Sequence, residues 1–290
     1  MTTRNPSVST APAMKRLMRA VWTHVLPRTH LTFNVGKMVT RMLLKPESVP
    51  TPVRVNFSSR IPMTLDLGTF VANDLFCLDD HYESVTLRLW NRLARESAVI
   101  LDIGSHIGTF ALVAAAANPR ARIISVEADG NIFRILREHA SHFPNITALH
   151  AAIADRESPM WFCPVGGNDG GGFLSTSRPD DPRCYPVTTR TLSQLCTAEG
   201  VTKVDLMKMD VEGYEHVLLT HDDDFFAAHA PAHVIVELTI ERAEPGRTEA
   251  LFSAMRRRGY EARRIQGLYA IPFGKSQDLA NWHFSRRPIP

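Results

Sequence analysis

The sequence predicts an α/β fold: a doubly wound, mostly parallel seven-stranded sheet with an antiparallel last strand and a helical N-terminal extension. Short apolar runs alternate with helical patterns at intervals that demand crossover connections, which gives the parallel sheet. Two strand-like runs at 260–265 and 268–273, separated by Gln266 and Gly267, read as a closing antiparallel hairpin. The extension follows from Met14, Leu17, Met18, Val21, Trp22, Val25 and Leu26, which recur at the spacing of an amphipathic helix that Pro27 ends.

Composition bounds the alternatives. With 290 residues, 44% of them hydrophobic and 22% charged, the chain has ample material for a core, which excludes disorder throughout. The longest apolar run, 110–117, is far shorter than the ~20 residues a helix needs to cross a bilayer. Four cysteines (Cys77, Cys163, Cys184 and Cys196) with no C-x-x-C pair fit neither a disulfide scaffold nor a zinc knuckle, so a reducing, cytoplasmic setting is expected. Residues 1–45 carry eight basic and no acidic side chains, so the remainder of a chain of net charge +3 has an acidic excess of five. No nucleic-acid groove is expected on that remainder.

Residues 1–12 are polar and Pro-containing and are expected to be a disordered tail, without the apolar region and cleavage site of a secretory signal. Residues 13–60 form the basic helical extension, with a second short helix through Val35, Met38, Val39, Met42 and Leu43. Two readings stand for it: a stripe packed on the body, or a basic helix that meets an anionic membrane surface or a protein partner. The main domain is placed at 61–290. It opens with a strand-like stretch, 61–78, and a helix through Val85, Leu87, Leu89 and Leu93. Strands follow at 98–104, 121–128, 146–153, 204–210 and 233–238, with helices at 109–117 and 131–139. The stretch 155–186, with five of the 16 glycines, is predicted to be irregular, either a flexible flap near the substrate or a surface insertion. Trp161, Phe162 and Phe173 within it read as an apolar wall for an acceptor or as packing under the flap. His139, His142, His229 and His233 read as solvated surface residues.

The most informative segment is Asp102-Ile103-Gly104-Ser105-His106-Ile107-Gly108. A buried strand ends in an acid, turns through Gly104 and enters a helix after Gly108, whose first turn offers free N–H groups. The spacing is G-x-x-x-G rather than the G-x-G-x-x-G of dinucleotide folds, and Asp102 would repel a pyrophosphate while accepting from a cationic amine. That favours S-adenosylmethionine over a nicotinamide cofactor. Glu127 closes the second strand, where an acid accepts ribose hydroxyls at the carboxyl edge of the sheet. Taken singly, either acid also reads as a helix cap.

These segments, with the run Val126-Glu127-Ala128-Asp129-Gly130-Asn131, the exit Ala151-Ala152-Ile153-Ala154-Asp155 and above all Lys208-x-Asp210-x-Glu212-Gly213-x-Glu215, resemble the FkbM-type methyltransferases. These belong to the Rossmann-like, S-adenosylmethionine-dependent class. The resemblance covers about 81–273. It departs at Ser105-His106, where the family usually has Ala-Asn, and at Ala128-Asp129, where a Pro often follows the acid. It implies methyl transfer, typically to a hydroxyl of a carbohydrate or secondary metabolite. The cofactor then lies against Asp102, Gly104, Ser105, His106, Gly108, Glu127, Ala128 and Asp155.

An alcohol needs a base to take its proton. Asp210 is the first candidate, followed by Glu212 and His216. Capping of a helix start by Asp210, with Glu212 favoured by the helix dipole, is the alternative. A divalent metal held by Asp210 and Glu237 is possible but not favoured, since two carboxylates are few for a dedicated site. A nicotinamide-dependent oxidoreductase and a non-catalytic scaffold that kept the fold are the rival functions.

Overall fold

Buried and half-exposed positions alternate along Ile61–Leu65, and a partner strand at Val53–Phe57 supplies the other half of an antiparallel ribbon. The computed structural model describes residues 52–58, 60–67, 69–78, 82–165, 171–239, 245–265 and 279–288. The tail at 1–12 and both predicted amino-terminal helices lie outside them. Residues up to Ser84 and from Val85 onward form two compact units.

The described part of the first unit is this ribbon, β1 (Val53–Phe57) and β2 (Ile61–Leu65), with α1 (Phe70–Leu78) packed on both strands. The strand expected over 61–78 is therefore only its first five residues. Thr69 starts a helix instead: its hydroxyl donates to the Asp66 carbonyl at 3.0 Å and accepts the Ala72 N–H at 3.3 Å. That cap, rather than apolar content, decides between strand and helix.

The second unit opens one residue into α2 (Ser84–Ala94), whose Trp90 is fully buried and donates its ring N–H to the Phe110 carbonyl at 2.8 Å. There follow β3 (Val99–Ile103), α3 (Thr109–Ala117), β4 (Arg122–Glu127), α4 (Gly130–Ala140), β5 (Ile146–His150), β6 (Ala152–Ile153), β7 (Pro159–Val165), β8 (Gly171–Ser175) and β9 (Tyr185–Arg190). After these come α5 (Leu192–Ala198), β10 (Leu206–Met209), α6 (Glu215–His221), α7 (Asp223–His229), β11 (His233–Thr239), α8 (Pro245–Arg257), β12 (Glu261–Arg264) and β13 (Leu279–Ser285). Seven strands form one sheet in the order β12-β13-β11-β10-β3-β4-β5. From β11 to β5 the pairing is parallel, and β13 runs antiparallel to both its neighbours. Ile100, Ile123, Met207, Val234 and Val236 are at or below 1% exposure, as expected of strands covered on both faces.

Three expectations need correction. The closing hairpin pairs β12 with β13, at Glu261↔Ser285 to Arg264↔Trp282, and the partner proposed at 268–273 lies outside the described residues. The stretch 155–186 contributes β7, β8 and the start of β9 to a second sheet, ordered β6-β9-β7-β8, in which Pro159, Pro164, Gly171, Gly172 and Pro186 occupy pairing positions. Cys163 and Cys184, which flank the β7–β9 pair, form a disulfide, so the cysteine spacing hid a cross-strand bond. No helix among the described residues is long and apolar enough to cross a membrane.

The histidines also differ from expectation. His139 is fully buried, its Nδ1 2.8 Å from the Ile107 carbonyl, and His229 and His233 are buried. His233 meets His283 at 3.1 Å between ring nitrogens. Of the four, only His142 is exposed.

Candidate active site

The sheet brings three polar residues abreast at its carboxyl edge. Asp102 on β3 pairs with Lys208 on β10 and with Ser125 on β4, and all three are buried. Paired residues of parallel strands face the same way, so one carboxylate lies between an ammonium and a hydroxyl. Asp102 Oδ2 accepts the Ala111 N–H in the first turn of α3 at 3.0 Å. Its other oxygen, Oδ1, is buried with no hydrogen-bond partner among the described residues. Burial pushes the carboxyl up to about 6, against the opposing pull of Lys208. Asp102 is thus not an adjacent helix cap, although it does serve one free donor of α3.

The turn after β3 is held from β4. Gly104 and Ser105 donate their N–H groups to the Val126 carbonyl at 3.0 and 2.9 Å, and Ser105 Oγ donates to the Asp102 carbonyl at 2.6 Å. Gly104 has φ +74°, and a Cβ there would collide with the Asp210 carbonyl, so only glycine allows the β3 and β10 exits to approach. Gly108, at φ +93°, enters α3. His106 holds φ +52°, unusual for a side-chain-bearing residue, and donates its N–H to Glu127 Oε2 at 2.8 Å. Glu127 Oε1 accepts the Asp129 N–H at 2.7 Å. Burial raises this carboxyl to about 7 even so. Asp129, not Glu127, caps α4. Ala128 offers its carbonyl to His150 Nε2 at 3.0 Å, and Tyr185 on β9 accepts the Gly130 N–H at 3.1 Å.

A second cluster forms beyond β10. Lys208 Nζ donates to Asp210 Oδ2 at 2.8 Å and lies 4.6 Å from the centre of the Phe110 ring, in a side chain only 4% exposed. Asp210 is therefore ion-paired and caps nothing: the residue before α6 is Tyr214. Glu212 and Gly213 follow at φ +54° and +100°. Buried Glu215 holds this turn from within α6, accepting the Val211 N–H at 2.6 Å and the Gly213 N–H at 2.9 Å. The surrounding protein and then the Asp210 carboxylate push the Glu212 carboxyl above its usual range. Burial takes Glu215 to about 7. Tyr214 donates its hydroxyl to Asp155 Oδ1 at 2.7 Å, which ties the β6 exit to the same turn. His216 is buried next to Glu215.

The turn holding Gly104, Ser105, His106 and Gly108 thus lies with Asp102 and Glu127 on one edge. The Asp210–Glu215 turn touches it through the contact of Gly104 with the Asp210 carbonyl. Lys208, Glu215, Tyr185 and Tyr214 were given no role from sequence. The signal for Lys208 was present: a lone cation inside a four-residue buried strand, two positions before an acid. Among the described residues no group of three or more metal-ligating side chains is present.

The family described as "Methyltransferase FkbM domain" matches residues 102–262, more than half of the chain. The chain is 26% identical over 202 residues to the AMB antimetabolite synthetase AmbE of Pseudomonas aeruginosa, covering 57% of this chain and 10% of that protein. It is 29% identical over 139 residues to the 2-O-methyltransferase NoeI of Sinorhizobium fredii, covering 42% of this chain and 56% of that one. The matched segments thus span less than two thirds of either relative. Among solved structures, the O-methyltransferase from Bacillus cereus in complex with SAH is similar at 11% identity and a TM-score of 0.42, over 93% of this chain and 96% of that one.

Proposed function

The chain belongs to the FkbM methyltransferase family and is an S-adenosylmethionine-dependent methyltransferase, and from that premise we propose that it methylates a hydroxyl group, with Glu212 as the base. The relative described as a 2-O-methyltransferase supports oxygen as the methyl acceptor; a carbohydrate or secondary metabolite as its carrier rests on the resemblance to the FkbM-type enzymes alone.

The residues present fit the donor. The buried Asp102 Oδ1, without a partner, suits the donor's ammonium, and a carboxylate has room for about four hydrogen bonds, of which Glu127 has two taken. Asp102 and Glu127 would hold the two ends of the donor, with Gly104, Ser105, His106 and Gly108 shaping the backbone between them and Ala128 and Asp155 at its margins. When bound, S-adenosylmethionine supplies a methyl group already activated by its sulfonium, and the C–S bonding pair stays on sulfur as the new O–C bond forms. The protein's work is then alignment, which supplies about 7–11 kcal/mol in well-oriented reactions, and removal of the hydroxyl proton.

One observation carries the choice of base. Asp210, the first candidate from sequence, is engaged by a buried ammonium at 2.8 Å, so one of its two oxygens is already committed to an ion pair. Glu212 makes no hydrogen bond among the described residues, has a raised pKa, and is held at a strained backbone angle of the kind that collects at active sites. Asp210 and Lys208 then fix the turn, and His216 packs behind it.

Labelled-methyl transfer to a panel of hydroxylated acceptors tests this. Glu212→Gln is expected to lower kcat by about 10²-fold or more while donor affinity stays within about twofold. It should also remove a rising pH limb that lies above the ordinary glutamate range. Asp210→Asn should chiefly lower the melting temperature, because it replaces the ion pair with the buried Lys208 ammonium by a weaker neutral contact. The reading fails if Glu212→Gln keeps its rate while Asp210→Asn loses it.

A further inference from the structure

The large apolar side chains most open to solvent among the described residues are Val165, at 55%, and Phe173, at 48%. They are not scattered singly, as exposed apolar residues usually are. Both belong to the β7–β8 hairpin, where Val165 pairs with Gly171, Cys163 with Phe173 and Trp161 with Ser175. Paired residues share a face, and so do alternate residues of one strand. Trp161, Cys163, Val165 and Phe173 therefore lie on one face together with Gly171; Cys163 is buried in its floor and bonded to Cys184, while Val165 and Phe173 stand open.

That face leads to the proposed base. A Cβ built on Gly171 would sit 3.6 Å from Glu212 Oε1 and meet nothing closer. The opposite face is committed to the body: Met160 and Phe162 are buried there, and the Phe162 ring occupies the space that a side chain at Gly172 would need. Phe162 is thus no part of an acceptor wall, whereas Trp161 and Phe173 remain available. At the far end of the face the Arg178 guanidinium lies 5.3 Å from the Trp161 ring centre and adds hydrogen-bond donors.

We infer that this face is the acceptor platform: Phe173 and Val165 receive the flat apolar side of a hydroxylated six-membered ring, whose hydroxyl is presented to Glu212. The inference rests on the methyl-transfer reading. An aromatic ring beside an aliphatic side chain matches the C–H face of a pyranose and the face of an aryl ring alike. Glu212 at the Gly171 end suits a hydroxyl on the ring's edge, and Arg178, about four residues along the strand, faces whatever the ring carries beyond it. An acyclic polyol has the hydroxyls and lacks the flat face.

The test is saturation-transfer NMR on the full chain saturated with S-adenosylhomocysteine. The probes are methyl β-glucopyranoside, catechol and sorbitol. At least one ring probe is expected to receive saturation and sorbitol none, and which ring responds identifies the source of the chemistry. Phe173→Ala should weaken the responding ring about three- to tenfold, and Phe173→Tyr should restore it. Both substitutions are at an exposed position, so folding is preserved. Sorbitol binding like the rings, no ring binding at all, or an unchanged Phe173→Ala overturns the platform. A parallel titration with S-adenosylmethionine keeps the two ideas apart. If the donor fails to bind the wild type, methyl transfer itself falls; if it binds while the rings ignore Phe173, only the platform does.

Discussion

Glu215 touches neither of the proposed ligands and yet sets the geometry of the base. Its two oxygens receive the N–H groups on either side of Glu212, at 2.6 and 2.9 Å, which holds two consecutive residues at positive φ. Hydrogen bonds of this kind contribute about 0.5–1.5 kcal/mol each, together comparable to the 1–3 kcal/mol such a backbone conformation costs. Glu215→Ala is therefore expected to lower stability by about 2–4 kcal/mol and to reduce kcat while donor affinity persists. Glu215→Gln, which keeps one accepting oxygen and turns an N–H₂ toward the other donor, should recover part of both losses. Thermal melts and single-turnover rates read the two effects separately. The acids of this site were legible as residue types at strand exits. Their division of labour was not, because it depends on which carboxylate the Lys208 ammonium reaches, and spacing alone does not tell Asp210 from Glu212.

At the scale of elements, the pieces that read well were those whose burial pattern is self-contained. The helix at Thr109–Ala117 and the strands at Val99–Ile103 and Arg122–Glu127 are mostly apolar and almost wholly buried, and turn residues flank them. The β7–β9 sheet read as irregular because Pro159, Pro164 and Pro186 interrupt it and Gly171 and Gly172 open β8, so propensity argues against each strand separately. Pairing and the Cys163–Cys184 bond, which closes a separation of 21 residues, hold what propensity does not. A loop of that size is worth about 3 kcal/mol in chain entropy. Adding a reductant, or making Cys163→Ser, is expected to speed amide exchange in β7, β8 and β9 while leaving β3 and β4 unchanged, as hydrogen-exchange mass spectrometry would show. Equal acceleration throughout, or none, would contradict a local staple.

For the whole molecule, the parallel sheet concentrates buried carboxyls on one edge and leaves them short of compensating charge. Burial takes Asp102 from 3.8 to about 6, and Glu127 and Glu215 from 4.5 to about 7. Each folded-state pKa lies above its unfolded value. Each group's contribution to stability is therefore fully present below about pH 4 and is lost as pH rises through about 6–7. The parallel, doubly wound character of the sheet was legible because crossover rules constrain it, whereas its strand order and this electrostatic strain were not, since the strain arises from burial that only the assembled strands produce. A cationic donor that recruits the ionised forms of Asp102 and Glu127 turns that cost into affinity. Calorimetric titration of S-adenosylmethionine across pH 5.5–8, in two buffers of different ionisation enthalpy, tests this most directly. The account predicts binding that tightens with pH, net proton release near pH 6–7, and about tenfold or greater weakening in Asp102→Asn and Glu127→Gln variants that still melt cooperatively. Affinity independent of pH with no proton release, or folded variants that bind as the wild type does, would contradict it.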